Sequence, residues 1–174
     1  MLSISAATTA DIPALTHLLN QAYRGDAARQ GWTFESDLLQ GDIRTDEDTL
    51  AGLISDEDGD ILKCEDETGA LLGCVHLKKH GQRLYLGMLS VRPALQGRGV
   101  GKMFLSQAED YAQERGCRTI FMQVISEREE LTAWYVRHGY RATGERKPFE
   151  VDPKYGVPAR PLEFMILEKQ IADD

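Results

Sequence analysis

From residue 96 the chain reads Gln96-Gly97-Arg98-Gly99-Val100-Gly101-Lys102, with glycine at every second position. Glycine accepts positive φ and lets another group come close to the backbone. An apolar helical period begins at Val100. If a helix starts there, the N–H groups of its first turn lack intrahelical acceptors, and together with the helix dipole they make an anion site. Arg98 and Lys102 add positive charge to it. Two phosphate-binding signatures do not fit. A Walker A loop needs glycine five residues before the last one and a hydroxyl after the lysine; here those positions hold Gln96 and Met103. A dinucleotide fingerprint needs G-x-G-x-x-G after the first strand of a parallel sheet. These glycines run G-x-G-x-G and lie in mid-chain. The alternative is a glycine-rich strand-to-helix turn with no ligand.

Metal chemistry is not expected. The histidines at 17, 76, 80 and 138 form no helical ligand pair, and His76 and His80 are about 13 Å apart if they share a strand. The acidic run Asp56 to Asp60, with Glu67 eleven residues after Asp56, has the length of a calcium loop, but its sixth position is Ile61 instead of glycine. Cys64, Cys74 and Cys117 have no CxxC spacing, so neither a disulfide framework nor a zinc knuckle is expected, and a reducing cytoplasm suits the chain.

The elements around the glycine segment follow from periodicity. Ser3 to Ala6 alternates as a short strand, and Asp11 is placed to cap a helix running to Tyr23 with Ile12, Leu15, Leu18, Leu19 and Ala22 on one face. Arg24 to Arg44 has no clean period and reads as a loop or broken helix; a second helix starts at Thr45 to Asp48. Ile61–Glu65, Leu71–Lys79 and Leu84–Val91 form a meander of three strands with turns at Thr68-Gly69 and His80-Gly81. The helix after the glycines carries one stripe, Val100, Phe104, Leu105, Ala108, Tyr111 and Ala112, and Gly116 ends it. Thr119 to Val124 is a strand. Ser126 to Glu129 has the form of a capping box opening a helix with Leu131, Trp134, Tyr135 and His138 on one side. Arg141 to Pro161 reads as mostly loop, and Leu162 to Lys169 as the last strand. The whole of residues 1–174 is expected to be one domain of α/β (α+β) class, a mixed, mostly antiparallel sheet flanked by helices. The crossover from the third meander strand to Thr119 is expected to be parallel.

Gln96-Gly97-Arg98-Gly99-Val100-Gly101 resembles the Q/R-x-x-G-x-G/A motif of the GNAT superfamily of acyl-CoA N-acyltransferases. Leu89 to Pro93 resembles the strand end L-x-V-x-P that precedes it there. Ala133 to Tyr140 resembles the family's helix end L-Y-x-x-x-G-F. The element order is similar along nearly the whole chain.

The resemblance implies a transfer of acetyl from acetyl-CoA, bound as cosubstrate, to a primary amine in a ternary complex. It places the backbone of Leu89 against the acetyl carbonyl and Val91 alongside the pantetheine. The segment Gln96, Gly97, Arg98, Gly99, Val100, Gly101 and Lys102 lies at the pyrophosphate. Tyr135 matches the acid that protonates the departing thiolate, a step that suits a phenol of pKa about 10 and a thiolate of about 8.5; its other role is core packing. Where the family often carries an acidic base, this chain has Gly87-Met88. Glu35, His76 and Tyr85 are candidates for that task, and Trp32 with Glu35 or Asp37 for shaping the acceptor site. The departure also leaves open a non-catalytic acyl-CoA-binding module.

A net charge of -8 counts against nucleic acid as partner and is compatible with a small-molecule or peptide amine. No apolar run has the roughly 18–20 residues that a membrane span needs, and Met1 to Asp11 do not resemble a signal peptide. The loop Phe149 to Arg160 is a candidate acceptor or homodimer element.

Overall fold

The computed structural model describes residues 1–23, 39–40, 44–96, 98–150, 153–155 and 157–171. The strands, in chain order, are β1 (Ser3–Ala6), β2 (Leu39–Gln40), β3 (Gly59–Glu65), β4 (Leu71–His80), β5 (Arg83–Val91), β6 (Thr119–Ile125), β7 (Arg141–Pro148), β8 (Val157–Pro158) and β9 (Glu163–Gln170). The helices are α1 (Ile12–Tyr23), α2 (Glu47–Ser55), α3 (Val100–Glu114) and α4 (Glu129–Arg137). Seven strands form one sheet in the order β1-β3-β4-β5-β6-β9-β7, and β2 pairs with β8 in a separate ribbon. Among the described strands only β5 and β6 are parallel neighbours. The mixed sheet expected from the sequence is therefore the fold.

Alternation along the strands sends side chains to two cores. Leu62, Val75, Leu77, Leu84, Leu86 and Ile120 pack with the α3 residues Val100, Phe104, Leu105, Ala108, Tyr111 and Ala112 and with Tyr135 of α4. On the other face Ile61, Cys74 and Met88 meet Leu15, Leu18 and Leu19 of α1 and Leu50 of α2. The buried residues of α3 are the stripe read from its period.

Three readings need correction. Arg141–Pro148 is strand β7, not loop. It pairs with β9 alone and all eight residues are exposed, so no core face imposes an alternating pattern. The Ser126 to Glu129 capping box does not form. The helix begins later than that box needs: Arg128, not Ser126, is the N-cap of α4, and an arginine side chain has no acceptor to offer the first-turn N–H groups, so no side-chain cap hydrogen bond forms. Asp11 is not the cap of α1. It closes a 3-10 turn, Thr9–Asp11, by accepting the Thr8 N–H at 2.8 Å, and α1 continues from it.

Asp46 ties the ribbon region to α2. It caps that helix by accepting the Thr49 N–H at 2.9 Å, and its other oxygen accepts the Tyr155 hydroxyl at 2.8 Å and lies 3.1 Å from Lys154. Hydrogen bonds from Thr49, then Tyr155 and Lys154, hold its carboxyl well below the usual range.

Candidate active site

β5 and β6 run side by side only through Arg83–Thr119, Leu84–Ile120 and Tyr85–Phe121. Beyond Tyr85 the two strands continue without pairing to each other. A cleft of about 110 Å³ opens between them, lined by Gly87, Met88 and Leu89 from β5, Gln123 and Val124 from β6, and Tyr135 from α4. On its other side β5 stays paired with β4, so the opening is one-sided.

The edge of β5 in this cleft is shaped by a bulge. Between the pairs Cys74–Ser90 and His76–Gly87, β4 spends one residue where β5 spends two, Met88 and Leu89. Met88 has φ 53, a left-handed conformation that costs a side-chain-bearing residue about 1–2 kcal/mol. Strain of this kind persists where the surroundings enforce it. Here the Ser90 hydroxyl donates to the Met88 carbonyl at 3.2 Å and the Cys74 thiol lies 3.9 Å from the same oxygen. Burial pushes the Cys74 thiol up to about 12, so it is neutral and acts as packing.

β5 leads straight into the glycine segment. Pro93–Leu95 is a 3-10 turn, and the Gln96 amide donates to the Val91 carbonyl at 3.2 Å, tying the strand end to the turn. Gly99 is the N-cap of α3 with φ 86. Gly101 sits where α3 meets α4, since a Cβ there would lie 3.2 Å from the Trp134 ring. Trp134 packs edge-on against Tyr135 with ring centroids 5.1 Å apart. The two sequence motifs therefore touch through this tryptophan. Tyr135 is buried, yet it faces the cleft. At Gly99 a Cβ would meet nothing within 4 Å, so the cost of a side chain is conformational alone. Gly99→Ala is expected to lose about 1 kcal/mol, a melting shift of roughly 2–4 °C, with weaker coenzyme A binding by titration calorimetry.

A family model described as Acetyltransferase (GNAT) family matches residues 13–140. The chain belongs to the GNAT acetyltransferase family. Solved structures similar to it share the fold of this GNAT chain at low identity. The ribosomal-protein-S18-alanine N-acetyltransferase of Escherichia coli is 17% identical with a TM-score of 0.73, covering 100% of this chain and 96% of that one. YncA of Salmonella typhimurium, solved with its cofactor acetyl-CoA, is 20% identical with a TM-score of 0.69 over 100% and 96%. The PaiA N-acetyltransferase of Thermoplasma acidophilum, in complex with coenzyme A, is 18% identical with a TM-score of 0.68 over 98% and 99%. No curated protein matches the sequence.

The structure brings Leu89 and Tyr135 of the GNAT motifs into one cleft, with Val91, Gln96 and the start of α3 beyond it. Gly97, Trp32, Phe34, Glu35 and Asp37 lie outside the described residues. His76 is buried opposite Gly87, edge-on to Tyr85 at 5.8 Å. Its Nε2 has no hydrogen-bond partner among the described residues. Burial first, then the charge of Lys78, pushes its pKa down to about 4. In an unfolded chain it would titrate near 6.5. Between those values the unfolded state binds a proton that the folded state refuses. The stability due to neutral His76 is thus complete above about pH 6.5 and is lost as pH falls toward 4, by up to about 1.4 kcal/mol per pH unit. Melting curves from pH 7 to 4.5 should fall less steeply for His76→Phe than for the parent. Among the described residues no cluster of His, Cys, Asp and Glu could hold a metal, and no helix is long and apolar enough to cross a membrane.

Sequence reasoning missed two cleft residues, Arg44 and Arg128. Each lies beside a helix start, where a charged residue is unremarkable.

Proposed function

We propose that this GNAT chain moves an acetyl group from acetyl-CoA to a primary amine by direct attack in a ternary complex. The observation that carries the reading is the one-sided opening of the sheet beyond Tyr85, with the bulged edge of β5 on one wall and Tyr135 on the other. An extended pantetheine can lie there as an added strand, drawing on the edge of β5 that β6 leaves unpaired between Tyr85 and Val91. Backbone N–H groups from Gly99 to Lys102, at the N-terminus of α3, suit the pyrophosphate, and the sequence motif extends the segment back to Gly97.

In the proposed reaction the amine nitrogen attacks the thioester carbonyl carbon. The Leu89 N–H stabilises the negative charge that develops on the carbonyl oxygen. As the C–S bond breaks, the Tyr135 hydroxyl gives its proton to the leaving sulfur, and the amine's proton passes to water. Gly87-Met88 offers no carboxylate to collect that proton. His76, held near pKa 4, is too weak a base for an amine that titrates near 10. Tyr85 lines the cleft, and its hydroxyl lies 2.5 Å from where a Gly87 Cβ would stand. Burial pushes its pKa up, so it stays a neutral phenol able to orient the water that takes the proton. Glu35 keeps its place as a base or acceptor-site candidate from the sequence.

The test is calorimetric titration with coenzyme A, followed by acetyl-CoA consumption across a panel of amines. Micromolar binding with thiol release is the expected result; absence of binding overturns the assignment. Tight binding with no release from any amine would favour the acyl-CoA-binding module, the reading that the missing carboxylate at Gly87-Met88 supports.

A further inference from the structure

Two faces of the sheet meet at the cleft. Tyr135 packs with α3 in the larger core, on the face that leads to the glycine-rich turn. Arg44 lines the same cleft from the face that α1 and α2 cover, where Asn20 of α1 holds its backbone. If acetyl-CoA lies along β5 and the start of α3, the second face is left for the amine.

Arg44 stands on a segment that is fixed from three sides. The Asn20 side-chain oxygen accepts the backbone N–H groups of Arg44 at 2.5 Å and of Thr45 at 3.0 Å. Ahead of Arg44, Leu39 and Gln40 pair with Pro158 and Val157 in the β2–β8 ribbon. Behind it, Asp46 accepts the Tyr155 hydroxyl at 2.8 Å, and that hydroxyl also lies 2.9 Å from the Thr49 hydroxyl. The segment is thus tied before and after Arg44 to one short C-terminal stretch. The same part of the chain also meets the cleft, where Phe149 packs on the lining residue Phe164 with ring centroids 5.0 Å apart.

Asp46 divides its work between two oxygens. Oδ1 caps α2 by accepting the Thr49 N–H at 2.9 Å, and Oδ2 takes Tyr155 and Lys154. Helix capping needs the first oxygen alone. The bond from Tyr155 joins residues 109 apart in the chain. It is only partly buried, so its net contribution to stability is small, and what it fixes is position. Arg44 has partners of its own, so the segment acts on an acceptor as a wall of set shape. Building on the acetyl transfer proposed above, we infer that Tyr155 is a positioning residue for the acceptor. By clasping Asp46 and Thr49 it fixes the wall at Arg44, against which the amine is held while it attacks the thioester. Tyr155 is not among the described residues that line the cleft, and it acts through Asp46.

The experiment measures steady-state thiol release from acetyl-CoA by the full chain across an amine panel that includes phenethylamine, L-lysine, spermidine and an alanine-led tripeptide. The variants are run with each amine that reacts. Tyr155→Phe should raise KM for the amine about 5- to 10-fold, the scale of one net hydrogen bond. Its kcat and its KM for acetyl-CoA should stay within about 2-fold of the parent, the signature of lost uniform binding. Asp46→Ser keeps a helix-capping hydroxyl and loses the clasp, so it should reproduce that split. Tyr111→Phe is the control. Tyr111 donates to Asp60 at 2.7 Å, away from the cleft lining, so its loss should lower melting without moving KM for the amine. An unchanged amine KM in Tyr155→Phe overturns the inference and leaves acetyl transfer standing. So does a rise that Tyr111→Phe matches, which is general loosening, or one that KM for acetyl-CoA matches, which puts the wall on the cofactor's side. No release from any amine overturns both readings.

Discussion

Tyr135→Phe is expected to lower kcat by about 10²- to 10⁴-fold, the usual range for a positioned general acid. The substitution removes the hydroxyl and keeps the ring. That ring is packed edge-on against Trp134 and, with centroids 5.8 Å apart, against Tyr140, contacts that phenylalanine reproduces. Coenzyme A affinity should therefore stay within a few-fold of the parent. Melting should move by no more than a few degrees, the scale of one lost hydrogen bond of about 1 kcal/mol. The split between kcat and affinity is what separates the acid from a core tyrosine. A core role predicts loss of stability with turnover largely intact, and an unchanged kcat would remove Tyr135 from the chemistry.

The same residue shows why part of the site was legible in the sequence. Tyr135 lies on an apolar helix face, which by period alone is core; its place in the Ala133 to Tyr140 motif pointed to the cleft. Elements with a buried face announced themselves. The α3 stripe named its six buried residues, and the meander strands were placed within a residue or two at most ends. Elements without one did not. β7 is exposed along its length, and the β2–β8 ribbon has two residues on each strand, too few for any period. The bulge left no trace either, because methionine is not a residue that marks left-handed backbone. Its support is tertiary as well as local: Ser90 two residues on in β5 and Cys74 across the sheet on β4 both gather on the Met88 carbonyl. Arg44 and Arg128 were invisible for a related reason. A lone arginine near a helix start looks solvated until the fold brings two of them to one cleft.

The cleft depends on the seat of α3, and Phe104→Ala tests that dependence. Phe104 is fully buried at the centre of the larger core. Its ring fills the space above Gly73, where a Cβ would come within 3.0 Å of it and within 2.6 Å of the Ser90 carbonyl. Gly73 pairs with Val91, the last residue of β5 before the glycine-rich turn. The ring thus wedges the first turns of α3 onto the strand end that the cofactor is proposed to use. Removing it should cost about 3–5 kcal/mol, the sum of lost apolar transfer and the cavity left behind. That is a large part of the roughly 5–15 kcal/mol that holds a domain together, and melting should drop by about 6–20 °C. If the helix start is also the cofactor's seat, coenzyme A binds the folded state alone. At 100 times its Kd it should then restore about 2.7 kcal/mol to parent and variant alike. A variant that is destabilised as expected but gains nothing from coenzyme A would mean that the turn had lost its binding geometry along with the wedge. A parent that gains nothing would place the cofactor elsewhere.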